Sequence, residues 1–220
     1  MNNSRYKNLF TDPIALENSK FNYKAERWEK IDADCRGLVS IFEDKPISRI
    51  DVINAYEEYY EGHQTDWRRP ILLTMIWGFA DTGYGAYRTS SYLADKNEGF
   101  LIGALKAVQE RNLKDAFLSL KEIKGLGISY MSKILYFATR AHWGENDQYA
   151  LIFDIRVASG LVKLTAPDLY DILEVFPSSK FKDYKRYIDL IHKKAKDNGI
   201  SAEALELFLF NYADDKAYPA

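Results

Sequence analysis

The sequence predicts an all-α fold. Apolar residues recur at helical spacing along most of the chain, strand-type alternation is scarce, and Ser, Pro and Gly stand where such helices would start and stop. No internal repeat, low-complexity tract or linker interrupts the pattern. The elements follow in order. Residues 1–20 read as irregular, with Asn, Ser and Pro punctuation. A helix is expected over 23–43, carrying Trp28, Ile31, Cys35, Leu38 and Ile41. In "PISRIDVINAYEEYYEGH", Ser48 is placed to cap a helix whose first turn holds Asp51, where a carboxylate meets the positive end of the dipole. The run "ILLTMIWGFA" follows Pro70, a residue suited to the first helical position, and reads as a buried helix.

The stretch "DTGYGAYRTSSYLADKNEGF" is rich in glycine and tyrosine and reads as an interruption of helix. Helices are expected over 99–109 and 112–122, the second ending at "KGLG", and another from Ile128 to Thr139. "HWGENDQYA" reads as a loop. Four further helices follow, in "FDIRVASGLVKL", "TAPDLYDILEVF", "FKDYKRYIDLIHKKAKDNG" and "SAEALELFLFNYA". The "HKKAK" run in the third of these reads as a polar helix face.

Composition narrows the function. The 220 residues suffice for one sizeable domain or two small helical lobes sharing an interface. A content of 47% hydrophobic and 15% aromatic residues excludes a disordered chain, because burial of that surface offsets chain entropy. A formal charge of -2 and a pI near 6.0 exclude a histone-like coating of nucleic acid but allow a local basic face. The single cysteine, Cys35, rules out an internal disulfide and a four-cysteine metal or iron–sulfur site. His63, His142 and His192 are far apart and lack zinc-ligand spacing, so neither metal nor cofactor is expected. The polar N-terminus and the lack of a run of about 18 apolar residues point away from a membrane and toward the cytoplasm.

The most informative run is "LKEIKGLGISYMSKILYFA". Gly125 can take the left-handed dihedrals that end a helix, Leu126 can tuck between two helices, and Gly127 lets the backbone approach an outside group. The next helix begins at once, so the amides of Ile128, Ser129 and Tyr130 would face outward and attract a phosphate. An ordinary helical hairpin with glycine caps would read the same way. About 25 residues on comes "ALIFDIRVASGL", an apolar run ending in Asp154, with Arg156 and Val157 in the helix that follows. There Asp154 could serve as a helix cap, as a functional carboxylate, or as both.

Together, in this order and at this separation, the two segments resemble the helix–hairpin–helix DNA glycosylase superfamily. They are most similar to its bacterial 8-oxoguanine-glycosylase-like proteins, whose pattern is echoed by Ser132-Lys133, Leu135 and Asp154-Ile155-Arg156-Val157-Ala158. The match covers residues 120–165 well and the C-terminal "ALELFLFNYA" loosely, and the first 70 residues carry none. The resemblance implies a two-lobed helical fold over 1–220 as one compact unit. Residues 71–154 would form the helical core with its hairpin at 125–127, and the flanks 1–70 and 155–220 the second lobe. It implies a double-stranded DNA partner for a monomer, and base excision in repair or phage defence.

The resemblance also implies site roles. Asp154 would stabilise the positive charge that develops on the sugar or activate water. Gly125, Gly127, Ile128, Ser129 and Arg156 would meet DNA, with Arg68-Arg69 and Arg88 as further phosphate contacts. Family members that also nick the strand carry a lysine where this chain has Ser129. Hydrolysis without strand cleavage is therefore expected. Lys133, four residues on and on the same helix face, stands as an alternative amine nucleophile, a phosphate contact or a partner of Asp154. A base taken out of the stack needs aromatic walls. "WGFADTGYGAYRT" offers Trp77, Tyr84, Tyr87 and Arg88, or simply tyrosines packed in the core. His142-Trp143 could touch substrate. A glycosylase-derived module that binds DNA without cutting it is the alternative function.

Overall fold

The computed structural model describes residues 20–22, 25–31, 33–40, 46–80, 82–170, 172 and 174–214. Among them the architecture is all-α. Its strands, β1 (Phe21–Asn22) and β2 (Pro46–Ile47), are two residues each and pair antiparallel, with Phe21 opposite Ile47.

A short 3-10 turn, Ala25–Trp28, precedes helix α1 (Ala33–Ser40), so the helix expected over 23–43 is broken into two pieces. Trp28, Ile31, Cys35 and Val39 are all buried, which preserves the apolar stripe although the backbone is not one helix; Ile41 lies outside the described residues. Helix α2 (Arg49–Tyr60) starts as the sequence predicts. The Ser48 hydroxyl accepts the Asp51 N–H while the Asp51 carboxylate accepts the Ser48 N–H, a reciprocal capping box. Helix α3 (Arg68–Phe79) is buried from Pro70 through Ile76, as befits a helix apolar on every side. It begins two residues earlier than expected, so Pro70 sits third in the helix. That position is tolerated because its missing N–H falls among the first four, which have no partner inside the helix.

The Gly/Tyr-rich stretch is itself helical in part. It contains α4 (Gly85–Leu93) and a 3-10 turn, Asp95–Asn97. Helices α5 (Glu98–Gln109), α6 (Leu113–Lys121) and α7 (Ile128–Trp143) follow, α7 running four residues past its expected end. Then come α8 (Ile155–Thr165), the single turn α9 (Pro167–Tyr170), α10 (Phe181–Asn198) and α11 (Ala202–Asp214). Among the described residues the helix expected in "TAPDLYDILEVF" is confined to α9. Ile172 and Phe176 are 75% and 66% exposed, so these two bury little apolar surface to hold a longer helix against its entropy cost.

Helix α7 lies in the centre of the core, with Met131 through Thr139 buried, and packs against α2, α3, α5 and α6. Helices α8 and α11 approach closely. Gly160 permits it: a Cβ there would stand 2.0 Å from the Leu209 carbonyl oxygen. This contact holds the middle of α8 against α11, and Glu203 of α11 in turn accepts hydrogen bonds from Tyr136 and Arg140 of α7.

Candidate active site

The hairpin between α6 and α7 is built as a tight reversal. Gly125 is left-handed at φ +87°, its carbonyl accepts the Tyr92 hydroxyl at 2.9 Å, and Leu126 is buried beneath it. Gly127 caps α7 in extended backbone, φ -77° and ψ 166°, and a Cβ there would meet nothing within 4 Å. The Gly127 carbonyl accepts the N–H groups of both Tyr130 and Met131 at 3.0 Å. The Tyr130 amide is therefore turned inward, and the outward donors at this end are Ile128 and Ser129. No acidic residue occupies the first turn, so the positive end of the helix dipole is not neutralised.

Asp154 is the N-cap of α8: Oδ1 accepts the Val157 N–H at 3.1 Å. Its other oxygen, Oδ2, accepts from Lys133 Nζ at 3.3 Å. The cap therefore occupies one carboxylate oxygen and leaves the second for chemistry. The Lys133 amine bends back along α7 and also donates to Ser129 Oγ at 3.1 Å, with the Tyr130 ring 5.4 Å away. Lys133 and Asp154 side chains are 8% and 10% exposed. The amine thus lies one helical turn toward the hairpin from its own Cα, beside Ser129.

Both residues line a cavity of about 610 Å³, within the size range of small-molecule sites. Trp77, Tyr130 and Phe210 give it aromatic walls, and Arg156 lies over the Phe210 ring with Cζ 3.8 Å from the centroid. Ala80, also on the wall, is held at φ +45°, a conformation that costs a non-glycine residue on the order of 1 kcal/mol and is found enriched at functional sites. Deeper in, Arg49 from α2 pairs with Glu206 from α11 at 2.8 Å, both side chains buried. Burial opposes the charge on Arg49, but the Glu206 carboxylate and the Tyr136 hydroxyl together outweigh it and raise its pKa. Burial pushes Glu206 up against the opposing pull of Arg49. The short contact, reinforced by the Ile152 N–H on the second carboxylate oxygen at 3.1 Å, is that of an ion pair. Arg49 is also sandwiched by Trp77 and Tyr136, its Cζ 5.3 and 5.2 Å from their ring centroids.

The residues singled out in the sequence divide into two groups. Lys133, Asp154, Ser129, Arg156 and Trp77 meet at the cavity. Tyr84, Tyr87 and Arg88 do not line it. They lie on the outer face of α4, which the Tyr92–Gly125 bond ties to the hairpin, and Tyr84 and Tyr87 are 52% and 77% exposed. Arg68 and Arg69 face carboxylates, at 3.7 Å from Asp95 and 3.2 Å from Glu58. His142 and Trp143 end α7, the first against the Tyr60 ring and the second donating to the Val108 carbonyl. Sequence reasoning named only the amide of Tyr130 and missed its ring as a wall, and it missed Phe210, Arg49 and Glu206 altogether. Glu206 did leave a signal: a lone carboxylate inside the apolar run "ALELFLF" must find a partner when buried.

Among the described residues no cluster of three His, Cys, Asp or Glu side chains could hold a metal ion, and no helix is long and apolar enough to cross a membrane. The family described as "Putative 8-oxoguanine DNA glycosylase OGG-like protein" matches residues 15–210 of the chain. No curated protein and no solved structure matches it.

Proposed function

Because the chain belongs to this 8-oxoguanine DNA glycosylase OGG-like family, we propose that it is a DNA glycosylase that removes a damaged or modified base by hydrolysis of the N-glycosidic bond. The observation that carries the reading is the buried Lys133–Asp154 contact at an aromatic-walled cavity, next to a helix start that offers free amides. In this account a duplex phosphate binds at the Ile128 and Ser129 amides, with Arg156 as a second contact. The target nucleotide leaves the stack and its base enters among Trp77, Tyr130 and Phe210. As the glycosidic bond breaks, its electron pair departs with the base and positive charge grows on the sugar. The Asp154 oxygen that meets Lys133, and is not held by the cap, stabilises that charge or takes a proton from attacking water. Tyr84, Tyr87 and Arg88 meet the duplex from outside the cavity. Residues 71–154 form one lobe and the flanks the other, around the cavity. The protein works as a cytoplasmic monomer in repair or phage defence.

A second reading is favoured by the position of the Lys133 amine, 3.3 Å from Asp154 and 3.1 Å from Ser129 Oγ. Once deprotonated, Nζ could attack the sugar C1′ in place of water, and the ring would open to an imine that permits strand cleavage. A panel of lesion duplexes, with alkali or borohydride added after or during turnover, tests both. Hydrolysis gives strands that break only after alkali, with no trapped adduct. An adduct that is lost in Lys133→Gln assigns the amine route. If no duplex breaks after alkali although each is bound, the chain is a DNA-binding module without excision.

A further inference from the structure

Asp154 ends a segment, residues 149–153, that belongs to neither helix nor sheet. Backbone N–H and C=O groups buried in that way must find other partners. Here they find side chains. Thr139 Oγ1 accepts the Ala150 N–H at 2.8 Å, and Ser132 Oγ accepts the Phe153 N–H at 2.9 Å. From the other side, the Tyr184 and Tyr187 hydroxyls donate to the carbonyls of Leu151 and Ile152 at 2.8 and 2.7 Å, and Glu206 takes the Ile152 N–H.

The spacing of the two α7 hydroxyls is a ruler. Ser132 and Thr139 are one heptad apart, about 10.5 Å of helix rise. The three residues of chain from Ala150 to Phe153 reach about 10 Å when extended. The segment runs antiparallel to α7, so the two lengths coincide and both amides meet a hydroxyl. Each hydroxyl can accept because its proton is directed elsewhere, Thr139 to the Leu135 carbonyl at 2.7 Å and Ser132 to the Ser129 carbonyl at 3.1 Å. Ser132 thereby links the first turn of α7 to the residue immediately before Asp154, and it is fully buried.

We propose that Ser132 is a positioning residue, whose hydroxyl fixes Asp154 at the height on α7 where it meets the Lys133 amine beside the hairpin. Its catalytic consequence rests on the glycosylase reading; its structural consequence does not. Three measurements on the full chain test it. Single-turnover excision at saturating protein falls on the order of 100-fold in Ser132→Ala, the scale of a misplacement near 1 Å. Affinity for the same duplex is unchanged, and Ser132→Thr, which keeps the hydroxyl, restores the rate. A merely structural role would lower the melting temperature without this separation of rate from affinity. Third, a double-mutant cycle between Lys133 and Asp154, read by denaturant unfolding, loses its coupling in the Ser132→Ala background and regains it with Ser132→Thr. A wild-type excision rate or an undiminished coupling in Ser132→Ala overturns the proposal. If the parent protein cuts no duplex, the glycosylase reading fails while the cycle still decides whether Ser132 sets this contact. Should Ser132→Ala fail to fold, Ser132→Cys keeps the volume with a weak acceptor and takes its place in both assays.

Discussion

Replacing Asp154 by asparagine separates its two hydrogen bonds. Asparagine caps a helix about as well as aspartate, so the bond from Val157 survives. The other oxygen does not survive as an acceptor of negative charge, and the Lys133 ammonium loses its counterion where only 8% of its side chain is exposed. Removing one partner of a buried pair costs about 3–5 kcal/mol. Lys133 keeps the Ser129 hydroxyl at 3.1 Å and the Ser129 carbonyl at 3.4 Å, which places the cost near the lower end, about 3 kcal/mol. For a chain of this length that corresponds to a fall in melting temperature of roughly 6–12 °C. Adding Lys133→Met removes the stranded charge and should recover most of the loss, because an apolar side chain of similar length replaces it. Excision should fall on the order of 100-fold or more, the scale on which one electrostatic partner of a transition state is lost, while DNA affinity holds. Calorimetry of the single and double variants, with single-turnover excision assayed well below both melting temperatures, is the check. If Asp154→Asn melts with the parent, the pair is not buried as argued; if it also excises normally, Asp154 is a cap and nothing more.

Gly127→Ala should leave stability unchanged, since the added Cβ meets nothing within 4 Å in the free protein, yet weaken binding to all duplex sequences alike; anisotropy titrations across salt concentrations read this, and an unchanged affinity removes the hairpin from the interface. Gly160→Ala should destabilise by about 3 kcal/mol or more, because its Cβ would overlap the Leu209 carbonyl at 2.0 Å and force α8 from α11; a denaturation midpoint within error of the parent would contradict that packing. Burial lowers the His192 pKa despite its bond to the Tyr149 carbonyl at 2.8 Å, so on acidification the unfolded chain takes up the proton first. Stability should therefore decline as the pH falls through the ordinary histidine value of about 6.5, and unfolding curves at neutral and mildly acidic pH should converge in His192→Gln; an undiminished pH difference in the variant would assign the acid sensitivity elsewhere.

The sequence by itself determined what depends on a few neighbouring residues. The cap at Ser48, the positive φ at Gly125 and the capping carboxylate at Asp154 each follow from local dihedral and hydrogen-bond chemistry, which acts over three or four residues wherever the segment lies. The two motifs that carry the family resemblance are of the same kind. Tertiary structure decided the rest. Arg49 and Glu206, 157 residues apart, line the cavity because a buried charge must be paired and the fold brings the first residue of α2 to α11. Local chemistry alone did not place the Lys133 amine: its long stem could have reached solvent, and it turns back because Asp154, distant in sequence, joins Ser129 in offering it oxygens. The tyrosines of α4 show the converse. Their residue type suits a pocket wall, but α4 buries the opposite face, Ala86, Thr89, Tyr92 and Leu93, and that leaves Tyr84 and Tyr87 exposed outside the cavity.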